Sequence, residues 1–266
     1  MIDIHSHILH GIDDGSRSLE ESLEMARIAV SEGIDTMINT AHYHMEVDYV
    51  KGEALKAAAR SFNEELGRQG IDLRVLVGNE LYYSSDLMGR IDELDFYPLA
   101  DSKYVLIEFR PDQLPSDMGG IAYEFRLRGY VPIIAHVERY SQVRERPEMV
   151  EELIEAGYLI QVNARNIEKA GKDETSRTAR ELLASCMVHF VATDSHRSDV
   201  RAPRIKAAYL EAIELLGRDM ADSIFHENPQ RLLENKDIEI FKVRRLPTNG
   251  KKMGLAEVIK NIIKKR

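Results

Sequence analysis

The sequence predicts an α/β protein built on a parallel β-sheet, either open or closed into a barrel. Seven short apolar or β-branched runs alternate with charged segments of helical periodicity, and this alternation is typical of strand–helix units with parallel strands. The 266 residues, 44% of them hydrophobic, are enough for one substantial core. No repeat or linker-like segment occurs before about residue 235, so we expect a single domain over residues 1–235.

The predicted strands follow one another at regular distances along the chain. In chain order they cover residues 2–5, 36–41, 73–77, 104–109, 131–135, 158–162 and 188–193. The first intervening helix has clear boundary signals, because Ser18 can serve as its N-cap, Glu21 can complete a capping box and Gly33 can end it.

The charge of the chain is unevenly distributed. Residues 236–266 contain ten Lys and Arg against three Asp and Glu, a net charge of +7, which leaves −16 on residues 1–235. So acidic a body is a poor surface for nucleic acid, and we expect no nucleic-acid partner. We interpret residues 236–266 as a basic C-terminal extension. Its segment 253–266 has the pattern of a short amphipathic helix, which either packs on the barrel or makes a peripheral contact with an anionic membrane or a membrane-bound partner.

We expect a cytoplasmic protein. No window approaches the roughly 18 consecutive apolar residues of a membrane helix, and Asp3, His5 and His7 interrupt any signal-like apolar run at the start. The lone Cys186 excludes a disulfide within the chain and reads as a small buried hydrophobe. No feature of the sequence specifies an oligomeric state.

Nine potential metal ligands lie at or just beyond the ends of predicted strands. They are His5, His7, Asp14, His42, Glu80, Glu108, His136, Asp194 and His196. In a (β/α) barrel the carboxyl ends of the strands converge on one face, so donors from distant parts of the chain can meet there. Imidazoles and carboxylates without thiolate suit Mn²⁺, Fe²⁺, Zn²⁺ or Mg²⁺. Nine ligands exceed the need of one ion, and clustered divalent ions are typical of hydrolases that act on phosphoryl groups.

The remaining candidate side chains have structural interpretations. Four histidines fall outside this pattern and are expected to be structural or solvent-facing: His10, His44, His189, which we place inside a strand, and His226. Asp13 is expected to shape the turn before Gly15.

Other phosphatase chemistries lack their residues. A cysteine-based tyrosine phosphatase needs Cys-x₅-Arg, but the residue six positions after Cys186 is Ala192. No Asp-x-Asp pair is present for an aspartyl-phosphate route, and no G-x-x-x-x-G-K-[ST] loop is present to bind a nucleotide. Metal-dependent hydrolysis remains.

Seven motifs in order resemble a known superfamily. They are DIHSH, DDG at 13–15, TAHYH, GNE at 78–80, IEF at 107–109, AHVER at 135–139 and TDSH at 193–196. From residue 1 to about residue 235 the chain is similar to the polymerase and histidinol phosphatase (PHP) superfamily, and within it to bacterial manganese-dependent protein-tyrosine phosphatases of capsule and exopolysaccharide operons. The resemblance implies a distorted (β/α)₇ barrel with three divalent ions, most simply Mn²⁺, with Fe²⁺ or Zn²⁺ as alternatives.

The resemblance also implies a set of ligands for each ion. His5, His7, Glu80 and Asp194 would hold the first ion, Glu80, Glu108 and His136 the second, and Asp14, His42 and His196 the third. Many members of the superfamily carry histidine at the positions of Asp14 and Glu108, so the carboxylates favour the tyrosine-phosphatase branch. The chain has TAHYH where this branch often has TPHH, and the register favours His42 over His44 as the ligand.

Two arginines are expected to complete the site. Arg139, three residues beyond His136, would stand beside the metals, and Arg201 matches a second arginine of the family, with Arg197 as the alternative. A guanidinium stays charged and grips phosphate oxygens through paired donors.

The implied activity is hydrolysis of phosphotyrosine in protein by metal-activated hydroxide, with a membrane-associated bacterial tyrosine autokinase as the substrate. Three alternatives remain at this point. They are a small-molecule phosphatase such as histidinol phosphatase, a metallo-exonuclease of the PHP type, and a binding module on a degenerate barrel.

Overall fold

Seven parallel strands pair in chain order around the centre of the protein. The computed structural model describes residues 1–168 and 173–244. The strands are β1 Ile2–Ser6, β2 Thr36–Tyr43, β3 Arg74–Tyr82, β4 Tyr104–Glu108, β5 Val131–Ile134, β6 Leu159–Asn163 and β7 Phe190–Ala192. Every predicted strand is therefore confirmed, although β2 and β3 run further than expected.

The sheet closes on itself where β1 meets the segment that follows β7. Ser6 forms a parallel bridge with Ser195, and the His7 N–H donates to the Ser195 carbonyl at 2.8 Å. The Asp194 N–H donates to the His5 carbonyl at 2.9 Å. Of the two arrangements compatible with the strand pattern, the nearly closed barrel is thus the correct one.

Helices cover the outside of the barrel. Those of the described residues are α1 Leu19–Ser31, α2 Gly52–Arg68, α3 Ser85–Arg90, α4 Met118–Leu127, α5 Ser141–Glu145, α6 Met149–Glu155, α7 Ala164–Ile167, α8 Glu174–Ala184, α9 Lys206–Leu216, α10 Arg218–Asp222 and α11 Asn228–Leu233. Short 3₁₀ turns occur at Ile91–Glu93, Leu99–Asp101 and Val137–Arg139, and one π-helical turn at Ser223–Glu227. None of these helices is long and apolar enough to cross a membrane.

Helix α1 confirms half of its predicted capping box. The Ser18 hydroxyl accepts the Glu21 N–H at 3.2 Å, as an N-cap should. The Glu21 carboxylate reaches one residue further back than predicted and accepts the Arg17 N–H at 2.9 Å, because it also pairs with the Arg17 guanidinium. The helix ends at Ser31, and Gly33 takes the positive φ of 84° that follows it.

The barrel interior is apolar at one end and ionisable at the other. On β4 the side chains of Tyr104, Leu106 and Glu108 share one face, since alternate residues of a strand point the same way. Tyr104 and Leu106 belong to a small buried cluster inside the barrel. Glu108, at the carboxyl end of the strand, therefore stands above an apolar floor.

The described part of the predicted C-terminal extension lies against the barrel. The Tyr104 hydroxyl donates to the Lys236 carbonyl at 2.5 Å, and the Arg244 N–H donates to the Ser185 carbonyl at 2.9 Å. Between these points, the Phe241 ring stacks on the His189 ring with 6.3 Å between the centroids. The proposed amphipathic helix at 253–266 lies outside the described residues.

His189, expected to be structural or solvent-facing, is a buried structural histidine, and it lies one residue before β7 and not inside a strand. Its Nδ1 accepts the Ile160 N–H at 3.1 Å, which fixes the neutral ring with its proton on Nε2. Burial lowers the pKa of His189 to about 4.

This shift predicts a pH-dependent stability. Because the folded-state pKa of His189 lies below its unfolded value near 6.5, the unfolded chain gains a proton first as pH falls. The contribution is fully present above pH 6.5 and is lost toward pH 4. Urea denaturation at pH 7 and pH 4.5 should show that His189→Gln, whose side chain can still accept a hydrogen bond, loses less stability than the parent, by on the order of 2 kcal/mol.

The exposed His10 supplies the matched control. His10→Gln should keep the pH dependence of the parent. If His189→Gln also keeps it, burial of a neutral His189 does not contribute to acid sensitivity.

Candidate metal centre

The nine predicted ligands meet at the carboxyl-terminal end of the barrel. Six of them have buried side chains: His5, His7, Glu80, His136, Asp194 and His196. His42 and Glu108 are partly buried, and Asp14 is exposed on the loop after β1. The site thus has a buried floor and one carboxylate at its mouth.

The Glu80 carboxylate lies at the centre of the cluster. Its Oε2 is 3.3 Å from His5 Nε2, 3.5 Å from His7 Nε2 and 3.1 Å from His42 Nδ1. Its Oε1 is 3.0 Å from His136 Nε2. Four imidazoles from three strand ends therefore converge on the carboxylate of a fourth.

The remaining donors surround this centre. Asp14 Oδ1 is 3.3 Å from His42 Nε2 and 3.5 Å from His196 Nε2. Asp194 Oδ1 is 3.5 Å from His5 Nε2, and Glu108 Oε1 is 3.4 Å from His136 Nε2.

Three sets of donor atoms are close enough to share an ion. In each set the atoms lie within 4.8 Å of one another, and the sets are His5, His7 and Glu80, then His42, Glu80 and Glu108, then His7, Asp14, His42 and His196. They overlap with the three groups implied by the family resemblance, but His7 and His42 each take part in two.

His42, and not His44, belongs to this cluster. The His44 ring stacks on Tyr82, with ring centroids 4.1 Å apart and an interplanar angle of 19°. The register that favoured His42 agrees with this geometry.

The cluster has the electrostatics of a cation site. Burial and the nearby negative charge of Glu80 raise the pKa of Glu108 to about 7, because the two carboxylates repel each other when both are ionised. Glu80 Oε2, although buried, receives no hydrogen bond from the described residues. Divalent ions would relieve the repulsion and occupy that oxygen, so the residues present fit them.

Three of the seven non-glycine residues with a positive φ angle among the described residues lie at this end of the barrel. His136, Asp194 and Arg201 all have positive φ angles, of 33°, 51° and 60°. Such conformations cost on the order of 1–3 kcal/mol each in non-glycine residues and cluster at functional sites.

Asp13 has a larger role than the turn predicted for it. Its Oδ1 accepts the Gly15 N–H at 2.9 Å, as expected. Its Oδ2 lies 2.7 Å from His7 Nδ1 and also accepts the His42 N–H at 3.1 Å. A carboxylate on one ring nitrogen of a histidine directs the other nitrogen toward a metal. Gly15 permits this close loop, since a Cβ there would lie 2.3 Å from the His7 carbonyl oxygen.

Two buried amides of β6, which the sequence analysis did not identify, orient three ligands from below. Gln161 Oε1 accepts the His136 N–H at 2.7 Å, so its amide orientation is fixed by a backbone donor. The same oxygen lies 3.2 Å from His5 Nδ1, which must then carry the ring proton and leave Nε2 free for a cation. Asn163 donates to Asp194 Oδ2 at 2.8 Å.

The arginines converge on Asp194. Arg201 Nη2 lies 2.5 Å from Asp194 Oδ1, and Arg139 Nη1 lies 3.7 Å from Asp194 Oδ2. Arg197 instead donates to the Asp14 carbonyl at 2.8 Å and holds the loop. The geometry thus favours Arg201 over Arg197 as the second arginine of the site.

Comparisons with known proteins identify the family of this chain. Residues 1–234 match the family described as capsular polysaccharide synthesis, CpsB/CapC. The tyrosine-protein phosphatase YwqE of Bacillus subtilis is 32% identical over 95% of this chain and 98% of its own. The tyrosine-protein phosphatase CpsB of Streptococcus agalactiae serotype III is 32% identical over 88% of this chain and 99% of its own.

A solved structure has the same architecture. It comes from work on YwqE of Bacillus subtilis and CpsB of Streptococcus pneumoniae, described as unique metal-dependent tyrosine phosphatases. The match has a TM-score of 0.87 and 32% identity, and it covers 93% of this chain and 100% of that one. The resemblance found in the sequence motifs is confirmed, and the chain belongs to the CpsB/CapC family of capsular polysaccharide synthesis proteins.

Proposed function

We propose that the chain is a metal-dependent protein-tyrosine phosphatase of capsule or exopolysaccharide synthesis. The observation that carries the proposal is the cluster of nine potential ligands around Glu80, whose buried Oε2 receives no hydrogen bond from the described residues, with two guanidiniums beside Asp194. The relatives are named tyrosine-protein phosphatases, which supports the same activity here.

In this proposal three divalent ions, most simply Mn²⁺, are bound, with Fe²⁺ or Zn²⁺ as alternatives. The ligands are those implied by the sequence motifs, with Glu80 bridging the first two ions. When bound, the ions supply hydroxide at neutral pH and stabilise negative charge on phosphoryl oxygens. The donor set, which lacks thiolate, is compatible with all three metals.

The protein itself contributes orientation and positive charge. Asp13 and Gln161 keep the Nε2 atoms of His7 and His5 directed into the cluster. Arg139 and Arg201 offer donors for the phosphoryl oxygens, where charge develops during transfer. Tyrosine, with a pKa near 10, leaves more readily than an alkyl alcohol, so a site without a strong general acid suits an aryl phosphate.

The biological substrate in this proposal is a phosphotyrosine protein, specifically a membrane-associated tyrosine kinase, met in the cytoplasm. The capsule-synthesis family supports such a context. The basic extension, with a net charge of +7 over residues 236–266, would add a peripheral attraction to an anionic surface.

A substrate comparison tests the activity. Protein reconstituted with Mn²⁺ should hydrolyse a phosphotyrosine peptide with a kcat/KM at least about tenfold above that for histidinol phosphate, and should not degrade single-stranded DNA. Preferred turnover of histidinol phosphate would instead support a small-molecule phosphatase. Release of nucleotides from DNA would support the exonuclease.

Arg139→Ala should lower kcat for a small aryl phosphate by on the order of 10²-fold, the cost of losing one donor to the transition state. Lysine should rescue poorly, because a point charge does not replace a planar fork. Metal content, measured by elemental analysis, should stay unchanged. Arg110→Ala, at an exposed arginine paired with Asp112, is the matched control. Equal kinetics in the two alanine variants would remove Arg139 from the mechanism.

Glu80→Gln should lose metal and abolish hydrolysis, because an amide oxygen is a weaker ligand for hard cations than a carboxylate. His44→Gln changes a nearby residue outside the cluster and should keep both properties. Elemental analysis of both proteins, purified without chelator, provides the readout. The same metal stoichiometry in both variants would refute the bridging role and the three-ion arrangement.

A further inference from the structure

A cavity lies beside the metal centre. Its volume is about 440 Å³, and it is lined by Arg139, Arg165, Asn166, Asp173, Thr175 and Ser176. Arg139 lines the cavity and also takes part in the metal centre, since its guanidinium lies 3.7 Å from Asp194 Oδ2. A substrate group held at the metal centre would therefore have the cavity as its neighbour.

Arg165 enters this cavity from helix α7, which begins immediately after β6. The strand fixes the position of this helix, because Asn163, two residues before Arg165, is hydrogen-bonded to Asp194. Asn166, the next residue along, donates to the buried Glu138 at 2.7 Å. Arg165 thus stands on a well-anchored backbone, and its side chain is accessible from the cavity although partly covered by its wall.

The Arg165 guanidinium has no carboxylate partner within 4.0 Å among residues 1–168 and 173–244. Asp173, the acidic residue of the cavity wall, caps helix α8 instead. Its carboxylate accepts the Ser176 N–H at 2.8 Å and the Ser176 hydroxyl at 3.3 Å. The cavity therefore carries two guanidiniums and one carboxylate that is already satisfied.

The surroundings oppose a charge at Arg165. Partial burial, and then the positive charges of Arg201 and Arg139, lower the pKa of its guanidinium. An arginine nevertheless stays protonated in proteins, so three positive charges share this side of the site. Arg139 and Arg201 already face Asp194, whereas Arg165 has no such carboxylate among the described residues and can attract an anion into the cavity.

We propose that Arg165 and its cavity bind an acidic side chain of the phosphopeptide substrate, close in sequence to the phosphotyrosine. This inference rests on the proposed phosphatase function. An extended peptide advances about 3.3–3.6 Å per residue, so a carboxylate one or two residues away remains near the phosphorylated side chain. Residues 1–235 carry a net charge of −16, which repels an acidic peptide over most of the surface. A preference for acidic peptides must therefore come from a local positive site such as the Arg165 cavity.

The test compares two phosphotyrosine peptides, one flanked on both sides by glutamates and one flanked by alanines. The measured quantity is the ratio of their kcat/KM values in the Mn²⁺-loaded protein, which cancels any loss common to both peptides. We expect a ratio of about 10 in the parent, the size of one charge-assisted hydrogen bond. Arg165→Gln should bring the ratio near 1, and Arg165→Lys should retain part of it.

Arg74→Gln is the matched control, because Arg74 is an exposed arginine at the start of β3, the opposite end of the barrel. It should keep the ratio of the parent, which separates a local contact from the overall charge. A ratio near 1 in the parent, or one that Arg165→Gln leaves unchanged, would overturn the proposal.

Binding distinguishes this failure from a failure of the proposed function. The same two sequences, carrying non-hydrolysable phosphonomethyl-phenylalanine in place of phosphotyrosine, are titrated by fluorescence anisotropy. Tighter binding of the acidic peptide that depends on Arg165, without hydrolysis of either phosphopeptide, would support the subsite and reject the phosphatase. Hydrolysis of both phosphopeptides with equal binding of the two analogues would support the phosphatase and reject the subsite.

Discussion

The structure depends on the contact that closes the barrel between its first strand and the segment after its last. Backbone hydrogen bonds join His7 to Ser195 and His5 to Asp194. The buried Asp3 carboxylate adds hydrogen bonds to the Thr193 N–H and hydroxyl. Because these contacts join residues about 190 positions apart in the chain, the ligands of the first and last strands meet only in the closed barrel.

The ligands were predictable because each of them depends on a local rule. A polar donor at the end of an apolar run lies at the carboxyl end of a strand, and parallel strands bring such ends together. The residues behind the ligands follow no local rule. Asp13 looked like a turn residue, and its contact with His7 depends on the shape of the whole loop. Gln161 and Asn163 did leave one signal, since they alternate on the same face of β6 as the apolar Leu159.

Other errors have similar physical causes. The capping carboxylate of Glu21 bonds one residue earlier than predicted, because Arg17 offers both a guanidinium and an N–H. His189 lies just outside its strand, and of the two interpretations given for it, structural or solvent-facing, the structural one is correct. Arg165 could not be singled out from the sequence, because surface arginines are common and only the fold shows that no carboxylate of the described residues pairs with this one.

The path of residues 236–244 sets the orientation of anything attached beyond them. Lys236 meets Tyr104 at the start of β4, and Arg244 meets Ser185 in the connection that precedes β7. Both contacts lie at the amino-terminal ends of the strands, on the face opposite the metal centre. The described chain thus ends on the back of the molecule. A tether joined there would leave the end of the barrel that carries the ligand cluster facing away from the point of attachment, so that a large substrate could approach it without obstruction.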